Sequence, residues 1–237
     1  MKKVIMIMAV MAIAGLHTQV QAGLLGTAEG FGVLGGSAVT STGMSVINGD
    51  LGVWPGLAIT GFGPGIVNGT IHAGDAVAQL AQSDLTTAYN TLAGMTPTQV
   101  LTGQDLGGQT LTAGVYFFSS SAQLTGTLTL DGSGDFVFLI GSTLTTASNS
   151  SVITNGNANV YWQVGSSATI GTTTAFKGNI LALASITMNA SATIDNGRAL
   201  AQNGAVTLNG NTITTVPEPA TICILGLGML KLFRRKK

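Results

Sequence analysis

His72 is the only histidine between residues 23 and 215, and no cysteine lies there. Acid–base or nucleophilic chemistry would have to be centred on it, and a zinc site of the usual imidazole and thiolate kind lacks ligands. A Ser-His-Asp triad would find its histidine here, but no Gly-x-Ser-x-Gly elbow presents a serine to it. Within Gly69-Thr-Ile-His-Ala-Gly-Asp75 the histidine reads instead as a hydrogen-bonded residue on the approach to a helix. Paired carboxylates are the other route. Asp131 and Asp135 flank Gly-Ser-Gly, a spacing open to a calcium loop or an acid–base pair. Gly and Asp are also what a polar turn between two strands requires, and that is the reading adopted. Gly61-Phe-Gly-Pro-Gly65 has the glycines of a phosphate-cradling loop without the Lys-Ser/Thr that would follow, and reads as a turn. No catalytic residue, metal ligand or cofactor site is expected.

The two ends carry most of the positive charge. Lys2 and Lys3, an apolar run over residues 4–16 and then Val20-Gln-Ala22 give the basic, apolar, small-residue order of a secretory signal, so residues 1–22 are expected to be a signal peptide cleaved after Ala22. The apolar run is too short to cross a hydrocarbon core of ~30 Å as a helix. At the other end stand Pro217-Glu218-Pro219, an apolar stretch over 220–233, and Arg234, Arg235, Lys236 and Lys237. This order resembles the PEP-CTERM sorting signal of exopolysaccharide-producing Gram-negative bacteria. The resemblance implies transient membrane insertion through residues 216–237, a cut near Pro217-Glu218-Pro219 by an exosortase, and export to the cell surface or its surroundings. A simple anchor with its basic end in the cytoplasm is the alternative, and Lys231 interrupts the apolar run it would need.

Between the ends the chain is mildly acidic. Lys177 and Arg198 are the only basic residues there, against Glu29, Asp50, Asp75, Asp84, Asp105, Asp131, Asp135 and Asp195. Nucleic acid is excluded as a partner, because phosphate binding needs clustered Lys or Arg. With the lone Cys223 in the tail, no disulfide supports the body, and residues 23–215 must be one domain held by burial and backbone hydrogen bonds.

From Val115 onward the body falls into rungs of roughly twenty residues, the period of a solenoid. Each opens on an apolar strand: Val115-Tyr-Phe-Phe118, Phe136-Val-Phe-Leu-Ile140, Val160-Tyr-Trp-Gln-Val164, Asn179-Ile-Leu-Ala-Leu183, Arg198-Ala-Leu-Ala-Gln202. A second, threonine-bearing strand alternates. Leu128, Leu144, Ala168, Ile186 and Val206 are expected to point inward, and Thr129, Thr145, Thr169, Thr187 and Thr207 to form one outward column. A third short strand is expected to turn Ile153, Phe176, Ile194 and Ile213 inward, with Gly, Asn and Ser at the corners. The fold class expected is mainly β, a right-handed three-faced β-solenoid with one α-helix packed along one face. That helix is predicted over about 76–92, N-capped by Asp75, with Val77, Leu80, Ala81, Leu85, Ala88, Tyr89 and Leu92 as its apolar stripe. The first strands, apolar on both sides, are where it would dock.

Laid out this way, the body resembles the bacterial and fungal ice-binding protein family built on a discontinuous β-solenoid with an adjacent helix. The resemblance is carried by Leu34-Gly-Gly-Ser-Ala-Val-Thr40, Val46-Ile-Asn-Gly-Asp-Leu-Gly-Val53, the segment 69–75, Asp105-Leu-Gly-Gly108, Leu111-Thr-Ala-Gly-Val-Tyr116 and Phe176-Lys-Gly-Asn-Ile180. It implies a non-enzymatic, exported ice-binding protein using a flat Thr/Ser-bearing face, here Thr127, Thr129, Thr143, Thr145, Ser167, Thr169, Ser185, Thr187 and Thr207. A family motif of Thr, a small residue, any residue, then Thr or Asn occurs in the rungs as Thr146-Ala-Ser-Asn149. A structural or adhesive component of an extracellular polysaccharide matrix, suggested by the sorting signal, is the alternative, and a β-helix carbohydrate-active enzyme a third.

Overall fold

A computed structural model describes residues 23–215. The signal peptide expected over 1–22 and the sorting segment 216–237 lie outside the described residues. From Leu24 on, these residues belong to one compact unit. Among the described residues two apolar clusters fill it, one inside the coils and one beneath the helix.

The unit is a β-solenoid whose coils each contribute a strand to three faces. Nine parallel strands form the face nearest the helix. In stacking order they are Ile71–Ala73, Asp50–Val53, Phe31–Gly35, the second half of Thr193–Ala201, the second half of Ala175–Ala182, Ala158–Val164, Gly134–Ile140, Gly114–Phe118 and Gln99–Val100. A second face stacks Ala58–Thr60, Ala38–Thr42, Val206–Asn209, Ile186–Met188, Ala168–Ile170, Leu144–Thr146 and Ala122–Leu124. The third runs from Ile66–Val67 through Val46–Asn48, Thr212–Thr214, the first halves of the two bent strands, Ser151–Asn155 and Thr127–Asp131 to Thr110–Leu111. Stacking order is not chain order. The first coil pairs with the last, Val33 opposite Ala199 and Thr40 opposite Thr207, and the helix Ala76–Ala93 separates the coils of one end from those of the other.

Inside, alternation fills the core as expected. Leu144, Ala168, Ile186 and Val206 line it from the second face, and Phe176, Ile194 and Ile213 from the third. An aromatic stack crosses the coils: Tyr116 and Phe138 rings lie 5.3 Å apart, Phe138 and Trp162 3.9 Å, Trp162 and Phe176 4.9 Å. The Trp162 Nε1–H donates to the Lys177 carbonyl at 2.9 Å, so the indole is buried without a stranded donor. Two expectations are corrected. Thr127–Asp131 belongs to the third face, where Leu128 opposes Val152; the second-face strand of that coil is Ala122–Leu124. Ile153 is exposed and Val152 is buried, because the register that matches Leu128 to Val152 turns Ile153 outward with Thr129.

The helix forms where expected. Asp75 caps it, its Oδ1 accepting from the Ala78 amide at 2.9 Å. Its buried side carries Ala78, Ala81, Gln82, Leu85, Ala88, Tyr89 and Leu92, packed with Leu34, Val137, Leu139, Leu181 and Leu200 of the first strands. Val77 and Leu80, expected in the stripe, are exposed. Ala78 and Gln82 lie on the buried side in their place, next to the expected Ala81 and Leu85. The Gln82 Nε2–H donates to the Ala201 carbonyl at 3.0 Å.

The amide of Ala78, then the His72 side chain, hold the Asp75 carboxyl below its ordinary range. Asp105 is also lowered: burial pushes it up, but the Thr125 hydroxyl and the Gly107 and Thr125 amides outweigh burial. A depressed folded pKa stabilises above the unfolded value and loses that contribution as pH falls through the folded one. Thermal melts from neutral pH downward are therefore expected to drop on the acid side below about pH 4. Asp75→Asn, which caps without titrating, is expected to flatten that limb; an unchanged limb would remove Asp75 from the account.

Candidate functional site

The second face carries the most regular surface of the molecule. Register places Gln123, Thr145, Thr169, Thr187, Thr207, Thr40 and Thr60 opposite one another, coil by coil. Parallel strands lie ~4.8 Å apart and alternate residues on one strand ~6.7 Å apart, so the column extends over roughly 30 Å with a fixed lattice spacing. Beside it, one step before each inward residue, stand Ser121, Thr143, Ser167, Ser185, Ala205, Ala38 and Ala58. The Thr143 hydroxyl donates to Ser121 Oγ at 2.8 Å, and the Thr40 and Thr207 Oγ1 atoms are 3.4 Å apart. Both contacts are side chain to side chain across adjacent coils. No strand of this face contains an ionised residue.

The corner beyond these columns is stiff. Asn149, Thr173 and Ser191 adopt φ of 60°, 55° and 59°, and Gly210 φ of 59°, a left-handed turn repeated coil after coil. Behind it lies a buried polar ladder. Thr146 and Thr174 hydroxyls meet at 3.1 Å, Ser150 donates to the Leu124 carbonyl at 3.0 Å, and the Asn211 Nδ2 donates to Asn189 and Ala192 carbonyls at 2.8 and 2.9 Å. Satisfied buried polar groups of this kind hold one geometry. Thr146, the first residue of Thr146-Ala-Ser-Asn149, is therefore an internal brace and not a surface group.

Seven of the residues expected on one face are brought together there: Thr143, Thr145, Ser167, Thr169, Ser185, Thr187 and Thr207. Thr127 and Thr129 are not. They lie on the third face, paired with Ser151 and Ile153. Gln123 takes the position assigned to Thr129, and Thr40 and Thr60 extend the column on the other side. The pattern Ala38-Val-Thr-Ser-Thr42 repeats the alternation of Ala205-Val-Thr-Leu208, the one signal that could have found Thr40. The third face also bears Thr193 and Thr212, but Ile153 and the Lys177–Asp195 ion pair, at 2.7 Å, project from it.

The residues with possible chemistry are placed elsewhere and bonded locally. His72 Nδ1 lies 2.7 Å from Asp75 Oδ2, and its ring 5.5 Å from that of Phe31. Asp131 and Asp135 bracket a turn with φ of 100° at Gly132 and 124° at Gly134, and Asp135 Oδ1 accepts from Asn159 at 2.9 Å. Gly61 has φ of 81°, and a Cβ there would come within 1.7 Å of the Ser41 carbonyl oxygen, so this turn is packed on the preceding coil. Among the described residues no group of three or more His, Cys, Asp or Glu is arranged to hold a metal ion.

Residues 33–214 match the family model described as ice-binding-like, and residues 215–237 the PEP-CTERM protein-sorting motif. The chain is 55% identical to an ice-binding protein of Nostoc sp. (strain HG1), covering 99% of this chain and 96% of that one. It is 34% identical to an ice-binding protein of Flavobacterium frigoris (strain PS1), over 82% and 76%. Among solved structures, an ice binding protein from an Antarctic biological consortium superposes with a TM-score of 0.77 at 50% identity, covering 81% of this chain and 90% of that one. The ice-binding protein of the ascomycete Antarctomyces psychrotrophicus superposes with 0.78 at 42%, covering 82% and 98%. The fold superposes on these solved structures across nearly all of the described residues, and with residues 33–214 matching the family model the chain belongs to the ice-binding-like family.

Proposed function

We propose that this protein binds ice through its second face, with Thr40, Thr60, Thr145, Thr169, Thr187 and Thr207 as the central column and Thr143, Ser167 and Ser185 beside it. The observation that carries the reading is the unbroken, uncharged register of that column. Each hydroxyl gains little over its hydrogen bonds to water. Many of them, held at fixed spacing with their methyl groups, keep surface water in an arrangement that can merge with a crystal plane, and the rigidity of the coils means that little entropy is lost on contact. The third face is the poorer lattice because its ion pair holds water around charges.

The sorting motif places the protein among those sent to the cell surface. The finer account is that residues 1–22 direct export from a Gram-negative cell, that an exosortase cuts near Pro217-Glu218-Pro219, and that the body acts outside. A component of a polysaccharide matrix is the second reading, favoured by that same motif. Residues 23–215 are expected to inhibit ice recrystallisation at low concentration, measured by grain growth in an annealed frozen film. Grain growth equal to that of a buffer control would leave the matrix reading in its place.

A further inference from the structure

The two ends of the coil stack are finished differently. At one end residues 94–113 close the core: Leu101, Leu106 and Leu111 are exposed by only 0%, 0% and 7%. At the other, the outermost coil is built from Ala58–Thr60, Ile66–Val67 and Ile71–Ala73, each the end strand of its face. Its core-facing Ile59, Phe62 and Val67 pack on the main apolar cluster yet are only partly buried. Around them Leu57, Ile66 and Ile71 are 71%, 54% and 49% exposed, and Met44, one coil in, 74%. Among the described residues nothing covers this end.

Beyond keeping edge strands short, as the two- and three-residue strands of this coil are, proteins protect exposed sheet edges by charge, by proline within the strand or by a bulge. None is used here. From Leu51 to Gly74 the chain has no Asp, Glu, Lys or Arg, and Pro55 and Pro64 lie in the turns. The occupant must therefore offer a strand edge, apolar side chains and no charge. A second copy of this chain offers all three, and the charge distribution selects this end for it. The body is acidic, with Lys177 and Arg198 against eight carboxylates, so two copies repel over most approaches and do not across an uncharged coil. The other end, already closed, is a poor partner for it, which favours like meeting like about a two-fold axis over a head-to-tail filament.

We propose that two copies of this protein associate end to end through the coil 54–74. Sedimentation equilibrium of residues 23–215, over concentrations bracketing the micromolar range of modest interfaces, is expected to show conversion from one chain mass to two. Leu57→Lys and Ile66→Lys, at exposed positions, are expected to keep the monomer mass throughout with an unchanged melting temperature. Amide exchange in residues 58–60, 66–67 and 71–73 is expected to slow with concentration in the parent and not in the variants. A parent that stays monomeric overturns the proposal, as do lysine variants that still dimerise. The tail beyond Thr215 is another occupant, since the Thr215 amide donates to Asn48, whose strand pairs with the edge strand Ile66–Val67. Protection of these amides in the whole chain, with residues 23–215 monomeric, would assign the end to that tail and end the proposal.

Discussion

Thr169→Tyr is expected to raise the concentration needed to inhibit recrystallisation by about tenfold or more, a loss of at least ~1.4 kcal/mol in adsorption. Thr169 stands in the column between Thr145 and Thr187. A phenol there projects above every neighbour and holds the flat face away from the crystal, so that contacts on both sides fail together. Because the side chain points away from the core, the melting temperature should change little, within about 0.5 kcal/mol of stability. Thr212→Tyr is the matched control: an exposed threonine on the third face, opposite Thr193 and Val46. Equal loss in both variants, or in neither, would detach activity from the second face.

Leu85→Asp is expected to destabilise the unit by about 5 kcal/mol, much of the stability of an ordinary domain. Leu85 is fully buried in the cluster that joins the helix to Leu139, Leu181 and Leu200. The change removes its apolar contacts and puts a carboxyl among side chains that cannot hydrogen-bond it. Leu80→Asp, on the same helix at 52% exposure, should leave the melt nearly unchanged. Chemical denaturation of the two variants separates a buried stripe from a generally fragile helix. Similar midpoints would place the docking surface elsewhere.

The pair Leu85 and Leu80 also marks how far the amino-acid pattern reaches. Helical spacing finds both, but the buried side runs through Ala78, Ala81, Gln82 and Leu85, which leaves Leu80 facing outward. Alternation correctly placed Thr145, Thr169, Thr187 and Thr207 because each directly follows an apolar residue, Leu144, Ala168, Ile186 or Val206, that must point inward. It failed at Thr127–Asp131, whose Thr-Leu-Thr-Leu reads more strongly as a second-face strand than the true one, Ala122-Gln-Leu124. Alternation alone cannot say which face a strand occupies. At Ser151–Asn155 two adjacent apolar residues, Val152 and Ile153, leave the phase open, and pairing with Leu128 settles it. Thr40 and Thr60 are harder to place for another reason: the neighbour of Thr40 in space, Thr207, is 167 positions away along the chain, so the likeness of Ala38-Val-Thr to Ala205-Val-Thr marks an alternating strand without its place in the stack. That contact exists only once the first coil meets the last.

That closure also changes how the molecule can come apart. In an ordinary solenoid the ends of the stack are the ends of the chain, and unravelling starts there, one repeat at a time. Here the strand Phe31–Gly35 lies between Asp50–Val53 and the second half of Thr193–Ala201, so the beginning and the end of the described chain sit in the interior of the stack. The outermost coils, in turn, belong to the middle of the chain, with the helix leaving one of them. Peeling from a terminus must break pairings on two sides, and peeling an outer coil must undo a segment tethered at both its ends. Neither route is cheap, which favours loss of the whole array in one cooperative step. The threonine lattice is then present complete or not at all, with few half-assembled forms offering part of the surface.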